Sequence, residues 1–146
     1  MSDLQCAATL LLTDAGGSRT LGPSLVDRRL AAIHTSAAPE AVRTAEAVAA
    51  VTGAGVSVSA DLREPGGEPD AEVRARVARE LGAIADLHRG ETVLVVSHTR
   101  TLQSGVPPLV GLGEEYAAAH PVPPGAVVEV AVDADGWLLR SWAGSA

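Results

Sequence analysis

Asp14, Ser36 and His98 carry the side chains best suited to proton chemistry, and each stands where an apolar run ends. Asp14 follows the run at residues 6–13 and precedes Gly16-Gly17; Ser36 closes residues 31–36; His98 follows residues 92–97. A carboxylate, a hydroxyl and an imidazole brought together can pass protons or activate a water. Each also has an ordinary structural use. Asp14 can anchor the glycine turn, Ser36 can cap a helix starting at Pro39, and His98 can tie a strand end to a carbonyl.

The elements that must position them are legible in the pattern. Residues 6–13 and 92–97 are continuous apolar runs of strand length, as expected of strands buried on both faces. Residues 31–36 and 56–59 read as two shorter strands. A helix starts at Pro39, shows Val42, Ala45, Val48 and Ala49 on one face, and closes at Gly53. A second helix, capped by Asp70, carries the stripe Val73, Val77, Leu81 and Ile84, with Arg74, Arg76, Arg79 and Glu80 mostly off it and Gly90 at its end. A third spans residues 102–112 and is disturbed by Pro107-Pro108. Residues 126–132 and 137–142 flank Asp133-Ala134-Asp135-Gly136, a hairpin signature. Strands alternating with helices predict a three-layer α/β/α sandwich with a mainly parallel sheet and a C-terminal antiparallel hairpin. Ligands of such sheets bind beyond the carboxyl ends of the strands, where Asp14, Ser36 and His98 fall.

Composition narrows the function. The 146 residues suit a single domain over 1–146, and 47% hydrophobic content suits a packed core. Eleven basic and 18 acidic side chains give a net charge of −7, which opposes phosphate backbones, and Tyr116, Trp137 and Trp142 are the only aromatics for stacking. Nucleic acid and membrane are therefore not expected partners; a small-molecule substrate is, in a cytoplasmic setting, with a homodimer left open. A lone Cys6 excludes a disulfide framework and reads as a small core residue. His34 and His88 have no partner legible in the sequence, and His120 sits in a Pro-rich loop.

Three segments resemble the histidine phosphatase superfamily, the phosphoglycerate-mutase-like fold, over nearly the whole chain. The stretch Thr35-Ser36-Ala37-Ala38-Pro39 with Arg43-Thr44-Ala45-Glu46 is similar to the family's Ser-Ser-Pro strand end and following helix. Leu62-Arg63-Glu64 is similar to its general-acid segment, and Val95-Val96-Ser97-His98 to its Val-Ser-His-Gly strand end. The stretch between Gly22 and Ile33 is shorter than the family's usual first helix. At the position of the family's Arg-His-Gly, whose histidine is phosphorylated, this chain reads Thr13-Asp14-Ala15, and a second family arginine falls on Glu40. Of the family's four charged core positions, the resemblance carries over His98 alone.

The resemblance thus implies the fold without the phosphohistidine chemistry. Phosphoryl transfer rests on positioned cations, and here carboxylates stand in their place, with Arg19, Arg43 and Arg100 the available compensation. One expectation is a repurposed enzyme with no cofactor: Asp14 as base or nucleophile, His98 as acid and Glu64 assisting, with Thr13, Arg19, Ser36, Glu40 and Arg100 contacting a neutral or cationic substrate. The reaction would be an isomerisation, elimination, cyclisation or hydrolysis. The alternative is a non-catalytic pseudophosphatase used for binding or assembly. A divalent metal on Asp14, Glu40, Glu64 and His98 is a further reading, though the spacing matches no standard ligand motif. Glu40, in a first helical turn, and Glu64, before Pro65, are also explained by the helix dipole and by solvation.

Overall fold

The computed structural model describes residues 6–16 and 21–142. Six strands form one sheet: β1 (Ala8–Asp14), β2 (Leu30–Thr35), β3 (Gly55–Val58), β4 (Thr92–Ser97), β5 (Val127–Asp133) and β6 (Gly136–Ser141), in the order β3-β2-β4-β1-β5-β6. The helices are α1 (Leu21–Leu25), α2 (Pro39–Thr52), α3 (Asp70–Leu87), α4 (Thr99–Val110) and α5 (Glu114–Ala119). The first four strands are parallel, while β5 runs antiparallel to β1 and β6 antiparallel to β5.

The apolar runs are continuous because successive side chains enter different layers. Leu10, Leu12, Val93 and Val95 pack with Val73, Val77, Leu81, Leu102 and Val106 of α3 and α4. Leu11, Leu94 and Val96 face the other way, onto Leu21 and Leu25 of α1 and Ala41, Ala45 and Val48 of α2. The period of two, with both faces covered, is what removes any polar alternation from β1 and β4. Gly105 lets α3 and α4 approach closely: a Cβ there would lie 2.6 Å from the Val77 side chain. The C-terminal hairpin stands as its turn residues imply, with the Asp135 N–H donating to the Asp133 carboxylate at 2.8 Å.

Several expectations change in detail. Asp70 does not cap α3; Pro69 holds that position and Asp70 is the first helical residue. Arg76 is not on the solvent side of α3, being 4% exposed. The helix ends at Leu87, and Gly90 (φ 78°) makes the turn into β4. Cys6 lies half-buried before β1 rather than within it. The third helix starts earlier, at Thr99, and runs through both prolines to Val110, and the Pro-rich region beyond it contains α5. The short first helical region is α1 plus a 3₁₀ turn, Val26–Arg28.

Candidate functional site

Strand order determines where the chemistry gathers. Because β4 lies between β2 and β1, their carboxyl ends share one rim: Asp14 is level with Ser97, and the Ser36 N–H donates to the Val96 carbonyl at 2.9 Å. An open cleft of about 290 Å³ lies over this rim, lined by Asp14, Glu40, Glu64, His98, Thr99 and Arg100 with the backbone at Ala15 and Gly16. Five of the expected site residues therefore meet: Asp14, Glu40, Glu64, His98 and Arg100.

His98 is the ordered centre. It is 6% exposed; its Nε2 lies 2.8 Å from Ser36 Oγ and its Nδ1 3.5 Å from Glu64 Oε1. Ser36 Oγ also accepts the Ala38 N–H at 3.2 Å. Glu64 is the accessible member of this line, with its side chain 58% exposed. Ligand atoms of Glu40, Glu64 and His98 all lie within 4.8 Å of one another, so these three could share a cation. Asp14 is placed apart from that trio. Its Oδ1 accepts the N–H groups of Gly16 and Gly125 at 3.1 and 3.0 Å, and its Oδ2 the Thr99 hydroxyl at 2.9 Å. Three of its roughly four acceptor sites are thus taken, which leaves one lone pair on Oδ2 for a substrate proton.

Two expected contact residues do not line the cleft. Thr13 is fully buried, and its hydroxyl donates to the Ala126 carbonyl at 2.9 Å. Ser36 is fully buried too, and reaches the cleft through His98. Arg19 lies outside the described residues. His34 pairs with His88 at 3.1 Å instead of joining the cleft, and His88 in turn meets Glu91 at 2.9 Å. Burial, and secondarily the neighbouring His88, lowers the pKa of His34 below its ordinary value.

The loop carrying Glu64 is braced by residues of which only Ser97 falls in a motif. Ser97 donates to the Leu62 carbonyl at 2.6 Å and Thr101 to the Arg63 carbonyl at 2.8 Å. Buried Arg76 donates through Nε to Glu68 at 3.1 Å and through Nη1 to the Asp61 carbonyl at 2.7 Å. The Gly66 N–H, at 2.7 Å, and then Arg76 hold the Glu68 carboxyl down to about 2. A hydroxyl just before His98 was the single sequence signal; Thr101, Arg76 and Glu68 depend on contacts across the fold.

The sequence model of the histidine phosphatase superfamily, branch 1, matches residues 60–144, more than half of the chain. The chain belongs to the histidine phosphatase superfamily. No curated protein matches it. Among solved structures it is similar to YhfR of Bacillus stearothermophilus, at 21% identity and a TM-score of 0.85, covering 96% of this chain and 98% of that one. It is also similar to a mycobacterial glucosyl-3-phosphoglycerate phosphatase complexed with vanadate, at 18% identity, a TM-score of 0.76, and 94% and 99% coverage. Phosphoglycerate mutase from Plasmodium falciparum follows at 14% identity, a TM-score of 0.72, and 95% and 92% coverage. At these identities the likeness is one of fold, and the expected mainly parallel sheet with its antiparallel hairpin is the superfamily's architecture. Among the described residues no helix is long and apolar enough to cross a membrane.

Proposed function

We propose that this member of the superfamily acts on a neutral or cationic small molecule by proton transfer, without a phosphohistidine intermediate. The observation that carries the reading is the line from buried Ser36, hydrogen-bonded to His98, to accessible Glu64, 3.5 Å from His98 Nδ1, in a cleft where Asp14 and Glu40 add two more carboxylates and Arg100 one cation. Asp14 stands where the family resemblance places the nucleophile, and it occupies the donors at that strand end with its own carboxylate. A phosphate monoester entering there would meet like charge. One such contact costs on the order of 4 kcal/mol at about 4 Å and an effective dielectric near 20.

In the proton step, Glu64 as carboxylate removes a proton from the substrate and becomes the acid. His98 keeps its Nδ1–H turned toward Glu64 and holds it in place. Glu64 then returns the proton to a different atom of the substrate or to its leaving group, as isomerisation, cyclisation or elimination requires. No charge is left over at the end of the cycle.

The test is a phosphate-ester panel with the wild type and His98→Ala, together with chemical-shift titration of His98 by propylamine and by inorganic phosphate. The expected result is no ester turnover and a His98 response to the amine that Glu64→Gln removes. Ester turnover abolished by His98→Ala, or tighter binding of phosphate than of amine, would overturn the reading. A purely binding role for the same cleft draws on the three hydrogen bonds that hold Asp14 in a structural position. It differs in one outcome, ligand capture that persists undiminished in His98→Ala.

A further inference from the structure

A second cavity, of about 300 Å³, lies beside the cleft between the start of α3, the length of α4 and α5. Arg100 lines both spaces, and Pro65, the residue after Glu64, lines the second. Its walls are apolar at Pro65, Pro107 and Ala117, and its cations are Arg74 and Arg100. Among the described residues neither guanidinium has a carboxylate within ion-pair distance, although Asp70 and Glu114 also line the cavity. Nor, among the described residues, does either guanidinium donate to a side chain or carbonyl, so each can offer its planar fork of N–H donors to a ligand. The wall is firmly built: Gln103 donates to the Ala117 carbonyl and accepts the Val122 N–H at 3.3 Å, tying α4 to α5 and the loop beyond it.

We infer that this cavity is the distal subsite for the substrate of the His98 cleft, taking a carboxylate at Arg74 and Arg100. The substrate class is then a molecule with a cationic or neutral reacting group, an apolar stem, and a carboxylate at the far end. The inference rests on the proton-transfer reading for the reacting end only. A guanidinium grips a planar carboxylate through two parallel N–H donors. Asp70 and Glu114 favour a singly charged carboxylate over a dianionic phosphate, since every added negative charge meets both of them. The apolar stretch between the two charged ends accounts for Pro65 and Pro107 facing the same space as the arginines.

The experiment is a titration of the full chain with ω-amino carboxylates of graded length, followed by amide shifts, with alkylamines, alkyl carboxylates and inorganic phosphate as controls. One member of the series should bind at least about tenfold more tightly than the amine or the carboxylate alone. It should move resonances of both Gln103 and Glu64. Arg74→Gln should reduce its affinity to that of the amine, and Glu64→Gln to that of the carboxylate. Equal binding of amine and amino carboxylate, no effect of Arg74→Gln, or preference for phosphate would overturn the inference. Arg74-dependent binding of simple carboxylates with no response to any amine would refute the acidic-cleft reading while leaving the arginine subsite standing.

Discussion

A serine hydroxyl has one proton to give, and at Ser36 the Ala38 N–H already occupies an acceptor position 3.2 Å away. What assigns the tautomer is the other side of the ring: Glu64 Oε1, a carboxylate oxygen that only accepts, lies 3.5 Å from Nδ1, so the neutral ring carries its proton there and Nε2 accepts the Ser36 hydroxyl at 2.8 Å. Nitrogen-15 spectra of neutral His98 should show a protonated Nδ1 and a bare Nε2. In Ser36→Ala the bare nitrogen loses its donor, the tautomers should mix, and stability should fall by about 1–3 kcal/mol for buried groups left unpaired. A protonated Nε2 in the wild type would reverse the assignment and with it the orientation proposed for the Glu64 pair. The sequence showed that Ser36 and His98 each end a strand, because each follows an apolar run. It did not show that Ser36 is an interior residue, since a capping serine and a buried one look alike before Pro39. Asp14 was readable as a strand-end carboxylate, and its Gly16 contact as a glycine-turn anchor. Its other partners, Thr99 and Gly125, lie 85 and 111 residues away and have no local signature.

Elements reach their positions here through a few close approaches. Helix α4 presents Thr99 and Arg100 to the cleft at one end and packs Gly105 against Val77 of α3 further along. Since an added Cβ at Gly105 would sit 2.6 Å from Val77, Gly105→Ala must push the helices apart or move Val77 off its rotamer. The expected cost is about 1–3 kcal/mol in urea unfolding, despite the better helix propensity of alanine. A change within about 0.5 kcal/mol would show that the two helices slide without penalty. The stripe on α3 was legible, yet it proved wider than its apolar residues. Arg76 lies one position before Val77 and three after Val73, so it borders the buried face and reaches Glu68 and the Asp61 carbonyl from there. Charge suggested solvent, while helical angle placed it inside, and the loop carbonyl and carboxylate supplied the partners that make burial tolerable. Helix α5 escaped notice because its six residues are too few to display a period.

At the scale of the whole molecule, two features that no local pattern discloses decide the behaviour. One is the insertion of β4 between β2 and β1, which gathers three strand ends at one rim; it was not legible in the sequence, since alternating strands and helices permit several orders. The other is the pairing of titratable groups, which sets how the fold responds to acid. His34 Nε2 faces His88 Nε2 at 3.1 Å, so one ring must accept and at least one must be neutral. Burial first, and His88 second, depress the His34 pKa below its ordinary 6.5, with Glu80 opposing more weakly. The unfolded chain then binds the proton more readily, and stability present above 6.5 declines as pH falls toward the lower folded value. Glu68 acts in a window that opens lower: its carboxyl is held at about 2 against an ordinary 4.5, so its contribution is intact above 4.5 and is lost between there and about 2. Urea midpoints measured across the acid range should therefore fall in two stages. His34→Gln should flatten the upper stage alone, and Glu68→Gln the lower. If the wild-type midpoint holds steady from neutral pH through the lower window, neither pairing contributes to stability as the geometry requires.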